Sequence, residues 1–493
     1  MVKSIIYQLL PRLWGRGRFS SVDDASLKYI KSLGADAVWF TGVVRHATTL
    51  PPEPSNPAIV KGDAGSPYAI SDYFDVNPYM ADVPSSRMDE FRALLDRAHS
   101  NSLKVIIDFV PNHVARDYRA PGSLGEGDDK SLHWSPDNDF FYYPGEELVL
   151  PLGNGSYREF PARASGNCFS SRPSVNDWWE TVKINYCDFH TGTWDRMMEI
   201  IRFWAGMGID GFRCDMAELV PLEFWRWMIP KAKKEFPGLR FIAEVYEAEK
   251  YASFSDAGFD LLYDKSLMYD TLRSVIERKC PAREITRAWQ RQGLLPERLL
   301  NFLENHDEQR IASDFFAGRA ESAFAALAVS ALFNTSSFML YFGQEAGEKG
   351  MGSEPFSGRN GRTSIFDSGT PESLLSLQAF AKGDSNALDT DQKRILGRYR
   401  ELLALSKQAV FSKGLTYDLC WCQGEGFNPD SDFAFLRGLG SDCRLVICNF
   451  SAHGRDISVR IPEEAWAYLG ISKKEAVHTA PVPSNDFVTT KLK

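Results

Sequence analysis

Four short stretches occur in a fixed order along this chain, and each carries polar residues at the end of a strand-like apolar run. They read VIIDFVPNH (105–113), GIDGFRCD (208–215), FIAEVYE (241–247) and NFLENHD (301–307). Near-continuous apolar runs are the mark of strands buried on both faces, which a parallel sheet covered by helices provides. If such a sheet closes into a barrel, the C-terminal ends of its strands meet on one rim, and polar residues placed there converge.

The rest of the chain supports that reading. Eight strand candidates follow one another: SIIYQLL (4–10), DAVWFTGVV (36–44), LKVIIDFV (103–110), GIDGFRCD, RFIAEVY (240–246), FDLLYDKS (259–266), LLNFLENH (299–306) and FMLYFGQE (338–345). Helical patterns lie between them. Arg87–Ser100 sets Met88, Phe91, Leu95 and Ala98 at helical spacing behind a capping box begun by Ser86 and Asp89, and Arg196–Ala205 does the same with Met197, Ile200, Ile201 and Trp204. The expected fold class is α/β, a (β/α)8 TIM barrel.

Two segments break the rhythm. Roughly eighty residues rich in Gly, Pro, Asp and aromatics separate the third strand from the helix at Arg196, far more than an ordinary βα loop. They are expected to form an excursion domain (114–190) leaning over the rim. After the helix at 393–408, short alternating runs such as FAFLRGL, RLVICNF and DISVRIP predict a C-terminal antiparallel β domain (411–493), leaving 1–113 and 191–410 for the barrel.

Composition narrows the partners. The net charge is −9 with no block of lysine and arginine, which argues against nucleic acid and anionic membrane. No apolar stretch reaches the ~20 residues that span a bilayer. The eight cysteines show no zinc-like spacing and read as buried free thiols, with Cys420 and Cys422 expected on one strand face. As the sequence stands a cytoplasmic location is expected, or an exported one if a leader was removed. Oligomeric state is not legible.

Cleavage of a glycosidic bond passes through an oxocarbenium-like state. It needs one protonated carboxyl for the leaving oxygen and one ionised carboxylate beneath the ring, ~5–5.5 Å apart in retaining enzymes. Asp215 and Glu244 end consecutive strands and form the natural pair. Arg213, two residues before Asp215, points to the same strand face and is expected to keep that carboxylate ionised. Asp307, past the seventh strand, is placed to separate the protonation of the other two.

These stretches resemble the signature regions of the α-amylase family, glycoside hydrolase family 13. DFVPNH is similar to the first region, GFRCD to the second, IAE to the third and ENHD to the fourth, and the barrel, excursion and C-terminal domains follow the family's layout. The resemblance implies Asp215 as nucleophile, Glu244 as general acid/base and Asp307 as transition-state stabiliser, with Arg213, His113 and His306 around the reacting glucose. SPYAISDY (66–73) resembles the family segment whose tyrosine stacks on sugar, here Tyr68, and GRNGRTSIFD (358–367) resembles a further stretch near the barrel's end.

The activity so implied is retaining hydrolysis of α-1,4-glucosidic bonds in starch, glycogen or maltooligosaccharides. The same residues would serve a transglycosylase or a glycosyl isomerase, and an inactive sugar-binding member is the non-enzymatic alternative. Ala69 stands where related exo-acting glucosidases carry aspartate, which favours internal or oligosaccharide cutting. Glu218-Leu219 replaces the Lys-His that many α-amylases carry after the nucleophile. No cofactor is required by this chemistry. The resemblance leaves room for Ca2+ at Asn112 with carboxylates of the excursion such as Asp188.

Overall fold

The computed structural model describes residues 3–492 except 121, 123, 355 and 356, so the ends of the first and last expected domains lie outside the described residues. Eight parallel strands close into a barrel: β1 Ile5–Leu9, β2 Ala37–Phe40, β3 Lys104–Phe109, β4 Gly211–Cys214, β5 Arg240–Ala243, β6 Leu261–Tyr263, β7 Leu299–Asn301 and β8 Ser337–Tyr341. Each pairs with its neighbours in sequence, and β1 closes on β8. Every expected strand is present, trimmed at its ends.

The second strand differs most from expectation. DAVWFTGVV does not run through: β2 stops at Phe40, Gly42 takes a left-handed φ of +74°, and Val44–His46 starts an antiparallel pair with Ile70–Val76 outside the barrel. An apolar run spanning a turn is continuous in hydropathy although the backbone reverses.

Helix Arg87–Ser100 has its expected bounds and buries Phe91, Leu95 and Ala98. Its capping box does not form. Ser86 closes a 3-10 turn and makes no cap bond, while Glu90 reaches back to accept from the backbone N–H groups of Asp82 and Val83, at 2.7 Å each. The next expected helix spans Gly192–Met207 and buries Met197, Ile200, Ile201 and Trp204.

Between β3 and that helix, His113–Ala115 pairs with Thr181–Lys183 and Tyr142–Tyr143 with Ala162–Arg163. This excursion packs its own small core of Leu148, Leu150, Ala162 and Trp179, to which Ile59 is added from the β2 loop. Beyond helix Thr390–Lys407, strands Leu415–Asp418, Asp432–Leu439, Asp442–Asn449 and Phe487–Leu492 form one antiparallel sheet, and Arg455–Ile461 pairs with Ala476–Val482. Phe433 and Phe435 of that sheet each lie 5.0 Å from the ring of Phe333, so the barrel's apolar core runs on into it. Cys420 and Cys422 lie in a 3-10 turn rather than on a strand face, and all eight cysteines are unpaired. Among the described residues no helix is long and apolar enough to cross a membrane.

Candidate active site

Register brings the polar residues together. Arg213 of β4 lies directly beside Asp108 of β3, and Gln8 of β1 beside Trp39 of β2. The hydrogen-bond ladder then runs one residue past the strand ends, with Asp215 N–H donating to Phe109 O (2.8 Å) and Glu244 N–H to Cys214 O (3.2 Å). That extension carries both carboxyls onto the rim.

The centre of the cluster is the fully buried guanidinium of Arg213. Its Nη1 donates to Asp215 Oδ1 at 2.6 Å, its Nη2 pairs with Glu244 Oε1 at 2.7 Å, and Asp108 Oδ1 lies 3.6 Å from Nη1. The rings of Tyr68, Trp39 and Tyr263 surround it at 5.2, 5.4 and 5.6 Å, enclosing the charge in aromatic faces. Glu244 also accepts from Tyr246 OH and from the N–H of Met216, each at 2.7 Å. Met216 adopts φ +42°, a left-handed turn for a non-glycine residue directly after Asp215. Strain of that kind persists only where surrounding structure holds it, and here the Glu244 carboxylate grips the N–H.

His306 joins this centre to Asp307. With its amide oriented to donate, Gln8 Nε2 reaches His306 Nδ1 at 2.8 Å, which leaves the ring proton on Nε2, facing Tyr68 OH and Asp307 Oδ2 (3.1 Å). Burial, then the charge of Arg213, hold this imidazole well below its ordinary pKa, so it is neutral. Asp307 is about 40% exposed. Burial of the group around it raises its carboxyl despite Arg213.

One cation thus faces several acids. Burial raises Asp215 well above the carboxylate range; Arg213 is the largest opposing influence, and Glu244 and Asp108 add to the rise. Arg213 was expected to keep Asp215 ionised, but without a ligand burial outweighs it. Asp108 is raised to about 7, again by burial against Arg213.

Of the seven expected site residues, six meet here: Tyr68, Arg213, Asp215, Glu244, His306 and Asp307. His113 is linked less directly, through a bond to the backbone of Tyr68, with its ring 5.1 Å from that of Trp178. Burial and the charges of Lys183 and Lys61 lower it to about 3. Asp108, Trp39, Tyr263, Tyr246 and Gln8 belong to the cluster and were not singled out from sequence. Asp108 opens the quoted DFVPNH, and Tyr246 is two residues past Glu244, so both had a signal; Gln8, Trp39 and Tyr263 read as strand interior. Arg310 is not part of it, being buried against Glu304 at 2.8 Å.

A calcium ion at Asn112 does not fit the residues present. The Asn112 Oδ1 accepts from the ammonium of Lys183. Asp188 is exposed, and among the described residues no three His, Cys, Asp or Glu side chains are grouped to hold a metal.

Residues 24–395 match the model of the alpha-amylase catalytic domain. The chain belongs to the alpha-amylase family. It is 29% identical over 397 residues to the alpha-amylase MalA of Haloarcula japonica, covering 79% of this chain and 50% of that protein. It is 24% identical to neopullulanase 2 of Thermoactinomyces vulgaris, covering 66% and 48%. The matches thus span about half the length of these two family members. Among solved structures, the maltogenic alpha-amylase AmyB of Thermotoga neapolitana superposes with a TM-score of 0.64 at 22% identity, covering 99% of this chain and 96% of that one. That similarity establishes the same barrel architecture.

Proposed function

We propose that this family member cleaves α-1,4-glucosidic bonds of α-glucans or maltooligosaccharides with retention of configuration. The observation that carries the reading is the pairing of Asp215 and Glu244 with adjacent nitrogens of one guanidinium, with Asp307 joined to the same cluster through His306. Sharing one guanidinium favours the short carboxyl separation of a retaining pair. The relatives named alpha-amylase and neopullulanase support an α-glucan as substrate.

In this reading Asp215 attacks the anomeric carbon while Glu244 gives its proton to the departing oxygen, forming a glycosyl ester on Asp215. Glu244 then takes a proton from the incoming water, which attacks the same carbon and releases Asp215. In the empty site burial and neighbouring acids favour a proton on Asp215, whereas attack requires its carboxylate. The reactive form is therefore the one in which that proton sits on Glu244 and Asp215 is ionised, a form favoured by the positive charge that develops on the glucose ring as the bond breaks. The partial exposure of Asp307 supports a role in holding sugar hydroxyls.

The test is product analysis on maltoheptaose. Hydrolysis releases one new reducing end per cut, whereas transfer gives longer or rearranged products at constant reducing ends. Related proteins named 4-alpha-glucanotransferase and trehalose synthase make the second outcome the competing one. Asp215→Asn is expected to lower kcat at least ~10³-fold, about 4 kcal/mol of transition-state stabilisation. Unchanged turnover in that variant would remove Asp215 from the nucleophile's role.

A further inference from the structure

We propose that the ammonium of Lys183 takes the place of a divalent cation at the joint between barrel and excursion, clamping Asn112 with the chain's own charge. The buried amide of Asn112 is oriented by its neighbours. Its Nδ2 donates to Gly166 O at 3.1 Å, which turns Oδ1 toward Lys183. The same ammonium donates to Leu219 O at 3.3 Å. Three separate pieces of chain therefore meet on one positive charge: the loop after β3 through Asn112, the loop after β4 through Leu219, and the strand Thr181–Lys183 that ends the excursion.

The chemistry of the cradle suits an ammonium better than a calcium ion. Ca2+ takes six to eight oxygens, usually several of them carboxylate. Both acceptors named here are neutral carbonyl oxygens. Three buried carboxylates of the excursion are already engaged: Glu159 with Arg116 and Arg163, Glu180 with Lys61, and Asp139 with Arg196 and Thr193. A site lacking local negative charge accommodates one positive charge more readily than two. The inference concerns the joint and holds whichever glucan the rim cleaves.

The experiment uses the whole protein, stripped with a chelator, with its metal content measured and its melting temperature followed in EDTA and in millimolar CaCl2. The expected result is no stoichiometric calcium and a melting temperature that differs by less than ~1 °C between the two conditions. A calcium-dependent rise of ~3 °C or more that disappears in Asn112→Ala would overturn the proposal, because the ion would then be bound where the ammonium is placed. A rise that survives Asn112→Ala marks a cation bound elsewhere and leaves the proposal standing. A second variant tests it in the other direction. Lys183→Asp removes the charge and adds a carboxylate to Asn112 Oδ1 and Leu219 O, so its lowered melting temperature should recover with Ca2+ but not with Na+. If Lys183→Met melts with the wild type, the lysine clamps nothing and the inference fails.

Discussion

Arg213 faces Asp108, Asp215 and Glu244 in a largely buried cluster, and this imbalance of charge governs how the centre titrates. Asp108 holds its proton to about pH 7 in the folded protein, whereas an unfolded aspartate releases it near ~3.9. Between those values the native state binds the extra proton. The stability from this group is therefore complete below ~pH 4 and lost as pH rises through about 7, at most ~4 kcal/mol. Asn at this position has no proton to lose. The melting temperature of Asp108→Asn relative to wild type should climb from pH 4 to pH 7 and level off above, as calorimetry across that range would reveal. Tyr246 offers a kinetic counterpart. Its hydroxyl donates to Glu244 Oε1, and that bond strengthens as Glu244 gives up its proton, since a hydrogen bond to a charged group is worth ~1.5–3 kcal/mol. Tyr246→Phe is expected to lower kcat on maltoheptaose roughly tenfold with KM nearly constant, and an equal loss in 1/KM would instead assign the hydroxyl to substrate binding.

At the scale of elements, the loop after β2 contributes as much to the site as any strand. It must turn back to set Tyr68 against His306, whose rings stack at 5.2 Å and 26°. Gly65 makes that return possible. Its φ is +77°, and a Cβ there would lie 1.8 Å from the carbonyl oxygen of Ala47. Backbone cannot yield as a flexible side chain does, so Gly65→Ala should cost about 2–3 kcal/mol. Displacement of Tyr68 should also raise KM for maltoheptaose. A variant with wild-type melting temperature and KM would show that the turn has slack the geometry denies.

For the whole molecule, the barrel and the C-terminal sheet are fastened at the end of one helix. Arg437, fully buried, donates to Leu332 O, Phe411 O and Gly414 O at 3.1, 3.0 and 2.8 Å, and Lys3 donates to Asn334 O nearby at 3.0 Å. The helix Phe324–Leu332 ends there, and cations at a helix C-terminus satisfy its last carbonyls. Arg437→Met should destabilise the protein by about 3 kcal/mol, from three carbonyls left without a donor. The fastening is distant in sequence from the rim residues, so kcat should hold. Since the apolar core is shared across the two units, the wild type should melt in a single calorimetric transition; two separate transitions would contradict that sharing.

What the chain's sequence determined alone was the barrel and the placing of its acids. Strands buried on both faces must be apolar throughout, so eight such runs were visible, and the residues ending them fall on one rim whatever the side chains do next. Asp215, Glu244 and Asp307 were legible for that reason. Hydropathy does not record where backbone turns, so the break at Gly42 and the second sheet beside β2 went unseen. Nor does a strand pattern tell which interior residue meets which. Only closure of the barrel puts Asp108, Trp39, Tyr263 and Gln8 around Arg213 and His306, and only the return of the excursion brings Lys183, 71 positions away, onto Asn112. The electrostatics followed the same division. A motif specifies that Arg213 lies near Asp215, but how many acids share that one cation, and how little water reaches them, is decided by tertiary packing, because burial and long-range register set both.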